Sequence, residues 1–120
     1  MASIQTVAAG EAPPPLVLAA ENGHSAVVGL LLALGNIDPN IGDTDNRERP
    51  LHHAIESGHI SPIRQLLARD DIDVNAVGDW GETPLLKAIR TGNMEVINLL
   101  LSKDSIEVNF LAPLLSAIND

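Results

Sequence analysis

The chain has 120 residues, enough for one compact unit, and its 45% hydrophobic side chains are enough apolar material for a core. Aromatic residues make up only 2% and cysteine is absent, which excludes disulfide frameworks and thiol chemistry and suits thin helical layers better than a sandwich centred on large rings. Sixteen acidic against seven basic side chains give a formal charge of −9, a sign that repels phosphate backbones and steers basic or mixed-charge partners inward.

From the N-terminus, Met1 to Pro15 shows no basic stretch followed by a continuous apolar run, so no signal peptide is expected. The apolar run Val27–Leu34, broken by Gly29, is far too short to span a bilayer. These features predict a soluble intracellular protein, cytoplasmic or nuclear. Residues 1–13 read as an N-terminal segment that caps the opening end of the chain's helices, with Pro13-Pro14-Pro15 forcing an extended approach.

From Pro15 a helix is predicted through Leu16-Val17-Leu18-Ala19-Ala20-Glu21-Asn22, ended by Gly23. Proline at the first helical position costs nothing, because that N–H has no intrahelical partner, and glycine suits the left-handed backbone at the end. A second helix carries Val27, Val28, Leu31 and Leu32 and leads to Ile37-Asp38-Pro39-Asn40. The plan then recurs. Pro50-Leu51-His52-His53-Ala54-Ile55 ends at Gly58, a helix with Ile63, Leu66 and Leu67 comes next, and Ile72-Asp73-Val74-Asn75 closes the unit. Pro62 falls in the first turn of that helix, where proline is tolerated. The third copy runs Pro84-Leu85-Leu86-Lys87-Ala88-Ile89 to Gly92, then Val96, Ile97, Leu100 and Leu101, then Ile106-Glu107-Val108-Asn109. Its start is the best capped, since the Thr83 hydroxyl can accept from the first turn whereas Pro14 and Arg49 in the equivalent places cannot.

Pro15, Pro50 and Pro84 stand 35 and 34 residues apart, and a second set of marks, Asn40, Asn75 and Asn109, keeps the same beat. Two motifs in phase over three copies establish an internal repeat of helix pairs. No such pair hides its apolar face alone, so each must stack on the next. Ala19, Ala54, Ala88 and Ala117 are small enough to let successive first helices approach closely.

The segment Gly81-Glu82-Thr83-Pro84-Leu85, with Ala88-Ile89 and Gly92 after it, resembles the ankyrin repeat, as do Ala19-Ala20-Glu21-Asn22-Gly23-His24 and Val74-Asn75-Ala76. The resemblance implies an all-α, ankyrin-type helical solenoid of about three full repeats with short hairpin loops and a truncated C-terminal helix. Its units are 14–48, 49–82 and 83–109, with 110–120 as a truncated fourth repeat capping the C-terminal end. Only the middle copy keeps the motif histidine, His52; Val17 and Leu86 replace it elsewhere. The loop from Asn40 to Pro50 is one residue longer than that from Asn75 to Pro84.

The same resemblance implies a concave surface of hairpin tips and exposed first-helix positions that receives a protein partner. It puts Asp43, Thr44, Asp45, Asn46, Arg47 and Glu48 on the first hairpin and Asp79, Trp80 and Glu82 on the second. Glu21, Asn22, Glu56, Ser57, Arg90 and Thr91 then line the floor. The expected partner-binding set is Asp45, Arg47, Glu48, Glu56, Asp79, Trp80, Glu82 and Arg90. Trp80 is the only tryptophan and lies outside any periodic apolar face, and tryptophan is enriched among residues that dominate binding energy. The alternative function is a small-molecule binder or acid–base enzyme using the groove around Trp80 and its neighbouring carboxylates, although no nucleophile motif or phosphate loop names a reaction. His52 reads as structural, and His24 and His59 as residues of the turn between helices that bond neighbouring units. No metal, cofactor, nucleic acid or membrane is expected; a bare end of the stack invites self-association.

Overall fold

The computed structural model of the chain describes residues 13–42, 48–78 and 81–108. Within them lie six helices, α1 (Pro15–Glu21), α2 (Ser25–Ala33), α3 (Pro50–Ser57), α4 (Ile60–Leu67), α5 (Pro84–Thr91) and α6 (Met94–Leu101). Helices α1, α3 and α5 pack in succession as one layer, α2, α4 and α6 as the other, and each first helix packs on the second helix of its own unit. The predicted caps and segments 1–12, 43–47, 79–80 and 109–120 lie outside the described residues.

Local chemistry sets the helix ends. Each first helix opens on proline, and the backbone turns left-handed at Gly23, Gly58 and Gly92, with φ of 74°, 76° and 76°. Thr83 Oγ1 accepts from the Leu86 N–H at 3.3 Å, and Asn93 repeats the device on α6 by accepting from Val96. Pro62 sits in the first turn of α4 and is buried without breaking it. Ala19, Ala54 and Ala88 are buried in the first-helix layer, where a larger side chain would hold neighbouring helices apart.

The core runs through the stack as one cluster, from Leu16 and Val28 through Leu51, Ile55, Ile63 and Leu66 to Leu85, Val96 and Leu100. What each unit buries depends on the next. Leu67 is 7% exposed, whereas Leu101, its equivalent one unit on, is 48% exposed. Ile55 and Val74 are likewise buried where Ile89 and Val108 are exposed. Val27, predicted on the core face of α2, is exposed, because the equivalent Pro62 is covered by the unit before it.

Polar side chains reach across each boundary in both directions. Asn40 Nδ2 donates to the Asp71 carbonyl at 2.8 Å and its Oδ1 accepts from Asp73 N–H; Asn75 repeats both bonds with Ser105 and Glu107. Arg69 donates to the Leu32 carbonyl at the end of α2, and Lys103 to the Leu67 carbonyl at the end of α4, both at 2.8 Å. A cation there satisfies a terminal carbonyl and opposes the negative end of the helix. His59 adds packing, since a methyl on Gly23 would lie 2.7 Å from its Nδ1.

Candidate functional site

The second hairpin is closed at its base by the Gly78 N–H, which donates to the Glu82 carbonyl at 2.9 Å, with Gly81 left-handed beside it. Glu82 therefore leaves the hairpin beside α5 and meets Arg90. Arg90 Nε donates to Glu82 Oε2 at 2.7 Å, and Nη2 donates to Glu56 of α3 at 3.1 Å. One guanidinium thus ties a hairpin base to the first helices of two units. Toward α1, His53 Nδ1 lies 3.7 Å from Glu21 Oε2 across the next boundary. Glu21, Asn22, Glu56, Ser57, Arg90 and Thr91 are all exposed, so the predicted floor is open to solvent.

The electrostatics follow from that geometry. The Glu82 hydrogen bond first, and the Glu56 bond after it, hold the Arg90 guanidinium protonated far above its ordinary range. In return Arg90 holds the Glu82 carboxyl below the usual carboxylate range, by hydrogen bond and by charge, against the opposing effect of partial burial. Two anions around one cation leave a local charge near −1, and none of the three side chains needs to reorganise to present it.

Glu48 corrects the expectation of an exposed rim residue. Its side chain is 6% exposed and accepts a hydrogen bond from Lys87 Nζ of α5, which is equally buried. A carboxylate leaving water requires a charged partner, and here it finds one on the next unit rather than at the surface. Gly78 makes room: a Cβ built on it would stand 1.9 Å from Glu48 Oε2 and 3.3 Å from His52 Cε1. The hairpin base therefore passes directly over the buried pair.

His52 is the structural residue expected. Its Nδ1 accepts the Arg49 backbone N–H at 2.9 Å, so Nδ1 carries no proton, and Nε2–H donates to the Ala76 carbonyl at 2.9 Å. Fully buried, the ring is held neutral, with burial pushing its pKa below the ordinary histidine value against the raising effect of Glu48. The 3.7 Å approach of Glu48 Oε2 to Nδ1 is thus a neighbour contact with an unprotonated nitrogen.

Of the expected partner-binding residues, Glu56, Glu82 and Arg90 come together, Glu48 is withdrawn, and Asp45, Arg47, Asp79 and Trp80 lie outside the described residues. Sequence reasoning missed Lys87 and Gly78. A signal was present, since the repeat puts Lys87 in the place of His53 and Leu18, which faces the preceding unit. Among the described residues no three His, Asp or Glu side chains group as a metal site would require, and no helix is long and apolar enough to cross a membrane.

A family model of ankyrin repeats, in three copies, matches residues 16–112. No match is found among curated proteins.

Proposed function

Because the chain belongs to the ankyrin-repeat family, whose repeats are generally protein–protein interaction modules, we propose that it binds a protein partner through the face formed by its hairpin bases and first helices. The observation that carries this reading is the Glu82–Arg90–Glu56 tie, which fixes exposed charge across two units. Pre-positioned side chains lose little ordering entropy on binding, and an acidic face speeds encounter with a basic or mixed-charge partner. Trp80 is proposed as an apolar anchor for the same partner, with Asp79, Asp45 and Arg47 as further contacts. The same reading sets the module in the cytoplasm or nucleus.

The test compares three baits in one lysate: the wild type, Glu56→Lys/Glu82→Lys, and Arg64→Glu on the exposed side of α4. Proteins held by the wild type and the Arg64 variant but lost by the double variant support the proposed face. Equal retention by all three, or loss only with Arg64→Glu, contradicts it. For a captured partner, Trp80→Ala is expected to weaken affinity by about 2 kcal/mol, as for an interface anchor.

A further inference from the structure

The side of unit three that faces away from unit two keeps the surface with which unit two receives its neighbour. Position by position the residue types are the same: Ile55, Ile63, Leu67, Ile72 and Val74 recur as Ile89, Ile97, Leu101, Ile106 and Val108. In unit two all five are buried, and in unit three none is. Ile55 is 1% exposed where α5 packs on α3, whereas Ile89, its equivalent on α5, is 37% exposed with no described helix beyond it. A seat of this pattern fits a first helix, because a first helix is what fills it one unit earlier. The chain supplies one. Pro50-Leu51-His52-His53-Ala54-Ile55 and Pro84-Leu85-Leu86-Lys87-Ala88-Ile89 share the pattern Pro-Leu-x-x-Ala-Ile, and Pro113-Leu114-Leu115-Ser116-Ala117-Ile118, outside the described residues, repeats it in full.

Its spacing is what differs. Pro113 follows Pro84 by 29 residues where Pro84 follows Pro50 by 34, five fewer. Five is the length of the stretch 78–82, whose two ends are held together by the Gly78 N–H donating to the Glu82 carbonyl. Cutting out a stretch whose ends already touch lets the chain pass from the boundary turn into the next helix with little displacement. The resulting register sets Phe110 and Leu111 on Ala76 and Val77, and Ala112 and Pro113 on Thr83 and Pro84. The polar chemistry agrees as well. Lys87 reaches back to Glu48, but Glu82, the equivalent of Glu48 one unit on, already has Arg90. An uncharged Ser116 in the place of Lys87 therefore leaves no carboxylate without its cation. We propose that residues 112–118 form the first helix of a fourth unit that lacks a hairpin, seated on unit three against Ile89 as α5 is seated on unit two against Ile55. Terminal units of such stacks are atypical, since only one of their sides is covered by a neighbour. This helix ends the row of hairpins at the second boundary and occupies the surface on which a further repeat, or a second copy, would stack.

Residue-resolved amide hydrogen exchange on the full chain tests this. In the wild type the amides of Ser116, Ala117 and Ile118, in the places of Lys87, Ala88 and Ile89, are expected to exchange at least about tenfold more slowly than in an unstructured peptide. Ala117→Glu puts a carboxylate where Ala54 and Ala88 are fully buried, and should abolish that protection while α3 and α4 keep theirs. Ile89→Glu should do the same from the other side of the contact, with α6 still protected; if it loosens α6 as well, Ala117→Glu alone decides. Wild-type amides exchanging at the unstructured rate overturn the proposal. So does protection that survives Ala117→Glu, or that survives Ile89→Glu, since the segment is then seated elsewhere. Protection that appears only as chain concentration rises puts the segment on a second copy and overturns it too.

Discussion

Removing the Lys87 ammonium, by Lys87→Met, should be among the most damaging single changes to this stack. Glu48 and Lys87 are both 6% exposed, so neither charge is appreciably solvated. Two unit charges in hydrogen-bond contact at about 3 Å, in an effective dielectric of about 20, attract by about 5 kcal/mol. Desolvation costs several kcal/mol per ion, so the pair as a whole contributes little net stability. Taking away one member leaves the other buried without its oppositely charged partner across the boundary, a loss of about 3–5 kcal/mol. With a urea slope of about 1.5 kcal/mol per molar, that lowers the unfolding midpoint by roughly 2–3 M. Glu48→Leu/Lys87→Met removes both charges and should lie within about 1 kcal/mol of the wild type. Urea titrations followed at 222 nm on the two single variants and the double variant form the cycle. A Lys87→Met variant that fails to fold while Glu48→Leu/Lys87→Met folds also agrees. If Lys87→Met costs less than about 1 kcal/mol, the pair is solvated and the reasoning about the second boundary is wrong.

Gly78→Ala puts a methyl against Glu48 and should cost about 1–3 kcal/mol, as overpacking does, but far less when Glu48→Ala has opened the space; equal costs in the two backgrounds would refute the close approach. His52 makes stability fall with acid. Its folded pKa lies below the unfolded value of 6.5, so its contribution is complete above pH 6.5 and declines as pH drops from there toward the folded value. His52→Gln should abolish that slope between neutral pH and the point where carboxylates titrate, measured by urea midpoints across pH. Glu82 adds a separate acid limb, since its folded pKa lies below 4.5 and its contribution is lost as pH falls through that lower range; Arg90→Gln should remove it. Gly23→Ala and Gly92→Ala both strain a left-handed residue, yet only the first meets a ring, so Gly23→Ala should destabilise more, and His59→Ala should erase the excess.

The repeat was legible because its marks are backbone requirements. Proline at a helix start and glycine at a left-handed end serve the same purpose in every unit, and Asn40 and Asn75 make identical pairs of bonds at the two described boundaries. Burial was less legible where it depends on neighbours: Val27 and Leu101 match buried residues in pattern and are exposed because their units stand at the ends of the described stack. Glu48 was misplaced for a related reason. A charge beside a hairpin reads as rim, and only the fold brings Lys87, 39 residues later, to meet it. The family pattern put Glu56 and Arg90 on the exposed first-helix floor and Glu82 on the second hairpin, but their mutual clamp was invisible, since no spacing rule links a hairpin base to two helices.

The most direct measurement is an amide chemical-shift map of the full chain, isotopically labelled and titrated with a protein captured by the wild-type bait. If the proposed face receives the partner, the perturbed amides concentrate around Glu21, Glu56, Glu82 and Arg90 and fade as salt screens the charges there. Perturbations concentrated on the outer side of α4 and α6, with the first helices silent, would contradict it.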